Sequence, residues 1–192
     1  MEKLTGACII GQSGGPTAVI NASLYGVVKE ALKMPGIGHV YGMINGIEGL
    51  LQDHYMDLGA ELSGEDLELL KLTPAAFLGS CRYKLPENLT DAFYETVFEK
   101  FRQMEIGYFL YIGGNDSMDT VSKLSRYAKH HGSDIRFIGI PKTIDNDLIM
   151  TDHTPGYGSA AKYVAAAVRE IALDASVYQQ KAVTIVELMG RH

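Results

Sequence analysis

Apolar runs of strand length alternate along this chain with longer segments of helical period, and that alternation limits the fold more than any other feature. "ACIIG" at residues 7–11 precedes a predicted helix from Pro16 to about Leu32, and "HVYGMI" at 39–44 leads into a glycine-rich loop. "TDAFYETVFEKFRQM" at 90–104 has helical period, with Thr90 as the expected N-cap. "YFLYIGG" at 108–114 is followed by a helix through "SMDTVSKLSRYAKHH", and "IRFIGI" at 135–140 by a helix near Ser159 to Leu173; "AVTIVELMG" at 182–190 reads as a last strand. Strands apolar throughout and separated by helices imply a doubly wound, mostly parallel sheet with helices on both faces. "LSGEDLELLKL" and the stretch from Pro74 to Pro86 read as an insertion with a short helix.

Composition narrows the class further. With 46% hydrophobic and 21% charged residues, 192 residues suit one sizeable core, and the expected organisation is a single α/β domain over residues 1–192. The chain has no run of 18 or more apolar residues and no leader-like N-terminus, so a membrane span is not expected and a cytoplasmic location is the default. Lys and Arg number 17 against 23 Asp and Glu, a net charge of −6 that argues against nucleic acid as a partner. An anionic ligand would therefore need a few local cations and a metal. Cys8, in an apolar strand, and Cys81, in a loop, fit no metal-ligand spacing and read as structural.

In open α/β sheets ligands gather at the carboxyl ends of the strands, where the unusual residues of this chain fall. After the first strand comes "GQSGGPTAVINAS"; its glycines admit close backbone approach, and Pro16 suits a first helical turn. It is not a Walker A loop, since the GK[ST] ending is absent. After "YFLYI" comes "GGNDSMDT", where Asn115 or Asp116 could be a helix cap or a ligand-binding group. "IPKTIDNDL" after the next strand is harder to assign to capping, which needs one carboxylate. Lys142, Thr143, Asp145, Asn146 and Asp147 fall within six residues, a set that suits phosphoryl transfer: charge neutralisation, a metal, and an acceptor for the hydroxyl proton. His130 and His131 end a helix and read as solvent-facing groups near its C-terminal dipole. Tyr157 is read either as lining a ligand site or as packing on the helix that follows, and the alanine-rich helix as suited to close packing or a subunit contact.

"GQSGGPTAVINAS", "LGSCR", "GGNDS", "PKTIDND", "TPGYGSA" and "VELMGRH" together resemble, in order and spacing, the phosphofructokinase family, from near Gly6 to His192. The resemblance is strongest to its pyrophosphate-dependent branch, because Asp116 and Lys142 stand where ATP-dependent members usually carry glycine. The resemblance implies transfer of a phosphoryl group from pyrophosphate to the 1-hydroxyl of fructose 6-phosphate with Mg2+; ATP as donor, or a phosphate-binding fragment without turnover, are the alternatives. Asp116 would lie where the α-phosphate of ATP must go and repel it, with Lys142 serving the shorter donor; simple pairing of Asp116 with Lys142 is the other reading. Asp145 resembles the general base, with Thr143 orienting the hydroxyl or the phosphoryl group and Asp147 near the metal. Gly11, with its amide at the first loop, Arg82, Gly114 and Asn115 would hold the donor, and Met189, Gly190 and Arg191 would touch the sugar phosphate. Asn115 replaces a metal-ligating aspartate of many relatives, so direct metal binding there is in question. Family members run on into a second α/β half and often form homo-oligomers, so this chain is expected to be the donor-binding half, with negligible turnover by itself.

Overall fold

The computed structural model describes residues 5–188 and 190. The chain divides into two units, Met1–Lys142 and Thr143–His192.

The first unit is built on five strands, β1 (Ala7–Gln12), β2 (Val40–Met43), β3 (Tyr55–Asp57), β4 (Ile106–Gly113) and β5 (Arg136–Pro141), in the order β3-β2-β1-β4-β5. Four of them run parallel, and β3 pairs antiparallel with β2 at one edge. Its helices are α1 (Ile20–Ala31), α2 (Gly46–Leu51), α3 (Leu58–Glu61), α4 (Gly64–Leu69), a 3-10 turn at Leu70–Leu72, α5 (Ala92–Gln103) and α6 (Asn115–His130).

Strand alternation distributes the core to both faces of this sheet. Ala7 and Ile9 of β1 join Phe109 and Tyr111 of β4 in one cluster with Tyr94, Val97, Phe98 and Phe101 of α5 and Leu124 and Tyr127 of α6. Cys8, Ile10 and Ile112 face the other way, onto Ile20, Leu24 and Val28 of α1 and onto Leu58, Leu70 and Leu78. The sheet is therefore covered on both sides, as the uniformly apolar strands imply. Helix α6 is amphipathic for the same reason: Val121, Leu124, Tyr127 and Ala128 recur at helical spacing and are buried.

Several boundaries differ from those read in the sequence. Helix α1 begins at Ile20, four residues after Pro16; residues 13–19 form a loop and turn closed by the Ile20 N–H donating to the Thr17 carbonyl (3.2 Å). The cap of α5 is Asp91, whose Oδ1 accepts from the Phe93 amide (2.8 Å), while Thr90 bonds to the Asn88 side chain. The glycine-rich stretch after β2 contains a helix, α2; Gly46 opens it because a Cβ there would lie 2.5 Å from the Tyr111 hydroxyl.

In the second unit, helix α7 (Tyr157–Ser176) follows a loop over residues 143–156 and has no buried residue. The strand expected over 182–190 is not formed across its described residues: 181–188 carry no regular structure, and Val183 and Ile185 are exposed. Strand composition yields a strand only when a neighbour takes up its backbone N–H and C=O groups, and these residues have no such ladder. No helix among the described residues is long and apolar enough to cross a membrane.

Candidate active site

Parallel pairing brings the carboxyl ends of β1, β4 and β5 side by side, with Gln12 in register with Ile112 and Gly113 with Pro141. Three segments leave the sheet there: the loop Ser13–Gly15, the Gly113–Gly114 turn into α6, and Lys142, whose N–H donates to the Gly113 carbonyl (2.9 Å). Gly14 takes φ +78, a conformation side chains rarely adopt. Its ideal Cβ position lies 3.5 Å from the Lys142 Nζ, and that of Gly114 lies 3.8 Å away. The ammonium is thus lodged between two glycine turns, in space that side chains would otherwise fill.

Lys142 is 7% exposed. Among the described residues its ammonium makes neither a hydrogen bond nor an ion pair. Burial lowers its pKa from the ordinary lysine value, and the positive charge of Arg82 lowers it further. Arg82 thus brings a second positive charge near this ammonium. Asp116, the second residue of α6, is exposed and does not pair with Lys142; the pairing reading of these two residues is not what the structure has. The N-cap of the helix is Gly114, which makes no side-chain cap bond.

Arg82 itself is exposed. It follows Ser80 and Cys81, which clasp the first loop: the Gly14 N–H and the Ser13 hydroxyl donate to the Cys81 carbonyl (3.1 and 3.2 Å), and the Ser80 hydroxyl donates to the Gly14 carbonyl (2.5 Å). Cys81 is a free, buried thiol 3.6 Å from the Tyr111 hydroxyl, and Cys8 is a free thiol that burial pushes up to about 12. Gly11 lies inside β1 and not in the loop; a Cβ on it would meet Met43 Cε at 2.4 Å and Tyr111 Cε2 at 2.7 Å, so close packing already requires glycine there. At the far end of α6, His131 Nδ1 lies 2.9 Å from the Tyr127 carbonyl and its ring stacks on Tyr127.

In the second unit, Thr143, Asp145 and Asp147 are each half-buried. Thr143 Oγ1 accepts from the Asp145 N–H (3.0 Å), and its own N–H donates to the Pro155 carbonyl (2.9 Å). Asn146, at φ 54, staples the loop: its Oδ1 accepts from the Thr154 N–H (3.0 Å) and its Nδ2 donates to the Asp152 carbonyl (3.2 Å). The backbone on both sides of Asp145 is thereby fixed by the bonds of Thr143 and Asn146. Tyr157 opens α7 with its ring centroid 6.1 Å from that of His153. Gly190 is exposed, whereas Met189 and Arg191 lie outside the described residues.

The fold is a doubly covered, mostly parallel α/β sheet with a buried lysine between two glycine turns at its strand ends. The Phosphofructokinase family matches residues 7–192, and the chain belongs to that family. A pyrophosphate–fructose 6-phosphate 1-phosphotransferase of Methylococcus capsulatus is 47% identical over 94% of this chain and 44% of its own length. A pyrophosphate-dependent phosphofructokinase of Nitrosospira multiformis superposes with a TM-score of 0.83 at 43% identity, over 90% of this chain and 42% of that one. An ATP-dependent 6-phosphofructokinase of Pectobacterium carotovorum is 32% identical over 94% of this chain and 51% of its own length. The chain thus spans less than half the length of the pyrophosphate-dependent relatives.

Proposed function

We propose that residues 1–192 form the donor-binding half of a pyrophosphate-dependent phosphofructokinase, which transfers a phosphoryl group to the 1-hydroxyl of fructose 6-phosphate and releases phosphate and fructose 1,6-bisphosphate. The observation that carries this reading is Lys142, 7% exposed, whose ammonium lies by the Gly14 and Gly114 turns with no acidic partner among the described residues. A largely buried lysine with no acid beside it among the described residues is costly to maintain and is explained if the ligand itself supplies the counter-charge. The stronger identity to pyrophosphate-dependent relatives supports the same donor.

Donor choice follows from charge. Pyrophosphate places its phosphates within reach of a single point cation and the fork of Arg82. A nucleotide adds a third phosphate, and the exposed Asp116 carboxylate beside the Gly114 turn repels it in a site partly shielded from water.

In the transfer itself Asp145 accepts the proton of the sugar's 1-hydroxyl, Thr143 orients that hydroxyl or the moving phosphoryl group, and Lys142 stabilises charge on the transferred group. No three His, Cys, Asp or Glu among the described residues gather as a metal cage. Magnesium does not need one, because it is usually held through one or two carboxylates, waters and the substrate's phosphates, and this reading assigns Asp147 to that role. When bound, the metal supplies neutralisation of phosphate charge. Gly114 lets the backbone approach the donor, and Met189, Gly190 and Arg191 contact the sugar phosphate. Cytoplasmic location and a homo-oligomeric complete protein accompany this reading. The test is calorimetric titration of the 192-residue chain with pyrophosphate and, separately, ATP: pyrophosphate binding with ATP rejected supports the assignment, and equal binding of both overturns the donor choice.

A further inference from the structure

Two fully buried amides sit behind the anion site. Gln12, 0% exposed, ends β1, and Asn21, 1% exposed, lies in the first turn of α1. Gln12 Nε2 donates to the Ile20 carbonyl (3.2 Å) and to Asn21 Oδ1 (2.9 Å), while its Oε1 accepts from the Leu78 N–H (2.9 Å). Asn21 Oδ1 also accepts from the Phe77 N–H (2.9 Å), and its Nδ2 donates to the carbonyls of Thr73 (2.8 Å) and Ala75 (2.9 Å). Both donors and both lone pairs of Asn21 are used, and four partners are backbone groups or a side chain more than seven residues away.

The segment so held is irregular, with one turn bond of its own, the Gly79 N–H to the Ala76 carbonyl (3.0 Å), and one from the Asn45 N–H to the Leu78 carbonyl (2.7 Å). Ala75 adopts φ 62, uncommon for a residue with a side chain, and such conformations persist only where surrounding bonds fix them. The same segment runs on through Gly79 to Ser80, Cys81 and Arg82. Ser80 and Cys81 grip Gly14 by two bonds and Ser13 by a third, and Asn45 bonds to the Ser80 carbonyl (3.2 Å). A continuous series of bonds therefore joins Asn21 to residues 73–78, to the 80–81 clasp, and from there to Gly14, beside which Lys142 lies.

We infer that Asn21, supported by Gln12, is a positioning residue for donor binding: it never touches the anion but holds the Arg82 segment and the Gly14 turn in the geometry that receives it. The inference rests on the proposed function for its ligand, and its effect on the loops can be measured without that ligand. Asn21→Asp preserves shape and the Oδ1 acceptor but turns the donor to two carbonyls into a second acceptor oxygen, so the bonds that hold Thr73 and Ala75 are lost and the segment they anchor is loosened.

Amide hydrogen exchange on the 192-residue chain reads the first link. In N21D, exchange at Phe77 and also at Gly14, which does not touch Asn21, should accelerate at least tenfold, while amides of β4 in the core remain at the wild-type rate. Titration with pyrophosphate reads the second: the dissociation constant should rise on the order of tenfold, equivalent to about 1.4 kcal/mol. Ser80→Ala cuts only the final hydroxyl bond to Gly14 in a half-buried position; it covers the case in which N21D does not fold, and should weaken pyrophosphate binding by roughly threefold or more, within the range of one neutral hydrogen bond. A folded N21D with unchanged Gly14 exchange, or with pyrophosphate binding within twofold of wild type, would overturn the inference, as would S80A indistinguishable from wild type when N21D is unfolded. Absence of pyrophosphate binding by the wild-type chain would instead remove the proposed function, and the exchange at Gly14 would still decide whether Asn21 positions the loop.

Discussion

Lys142→Met gives opposite signs for stability and for binding, and that opposition is the consequence of placing a cation in a buried space without a partner. In the free chain the side chain is largely buried, feels the like charge of Arg82 and pairs with no acid among the described residues. Removing a buried polar group that lacks a partner relieves about 1–3 kcal/mol, so the variant should be more stable at neutral pH, by about 2–4 °C in Tm for each kcal/mol in a chain of this size. Against pyrophosphate the same change removes charge-assisted hydrogen bonds, worth roughly 1.5–3 kcal/mol, so affinity should fall by about ten- to 150-fold. The pH dependence has a definite sign. The folded-state pKa of Lys142 lies below its unfolded value, so between the two the unfolded chain binds more protons and stability rises with pH. That slope should vanish in the methionine variant. For binding the direction reverses: pyrophosphate affinity declines as Lys142 loses its proton, beginning below the ordinary lysine value of about 10.4. Differential scanning calorimetry across pH, with and without pyrophosphate, measures all three effects. A variant that is less stable than wild type at neutral pH, or that binds pyrophosphate as tightly, would refute the reasoning.

Asp116→Gly should admit ATP, seen as saturable binding in a nucleotide titration where the wild type shows none; continued exclusion would show that this carboxylate is not the barrier. Asp145→Asn, made in a protein of the relatives' full length, should lower kcat by about 10² to 10⁴ with little change in substrate binding, because general-base catalysis contributes about that much. Gly11→Ala should destabilise by about 1–3 kcal/mol in denaturant unfolding, since the added methyl overpacks a filled core between Met43 and Tyr111.

The long elements were legible because their patterns are long. The apolar runs of β1, β4 and β5 and the helical spacing in α5 and α6 each extend over enough residues to show a period. Strand β3 has three residues and α2 six, too few to display one, and α2 also contains glycines that read as loop. Pro16 is compatible with a first helical turn, yet the turn at residues 17–20 delays α1. Residues 182–188 have strand composition, but pairing is a property of neighbours and not of the segment. At the site, the sequence exposes what is chemically unusual: Lys142 and the carboxylates crowd one loop, and glycines interrupt apolar runs. It does not expose Gln12 and Asn21, whose side chains look like ordinary surface amides until their burial is known. The placement of Gly11 was hidden for the converse reason, since a glycine at the end of an apolar run reads equally as loop or as a packing contact.

The central claim is that this strand-end crevice is built for pyrophosphate and closed to ATP. Isothermal titration of the wild-type chain with each donor, at one fixed salt and magnesium concentration, tests it most directly. The account predicts saturable one-site binding of pyrophosphate, lost in Lys142→Met, and no saturable binding of ATP. ATP binding as tight as pyrophosphate, or pyrophosphate binding unchanged in Lys142→Met, would contradict it.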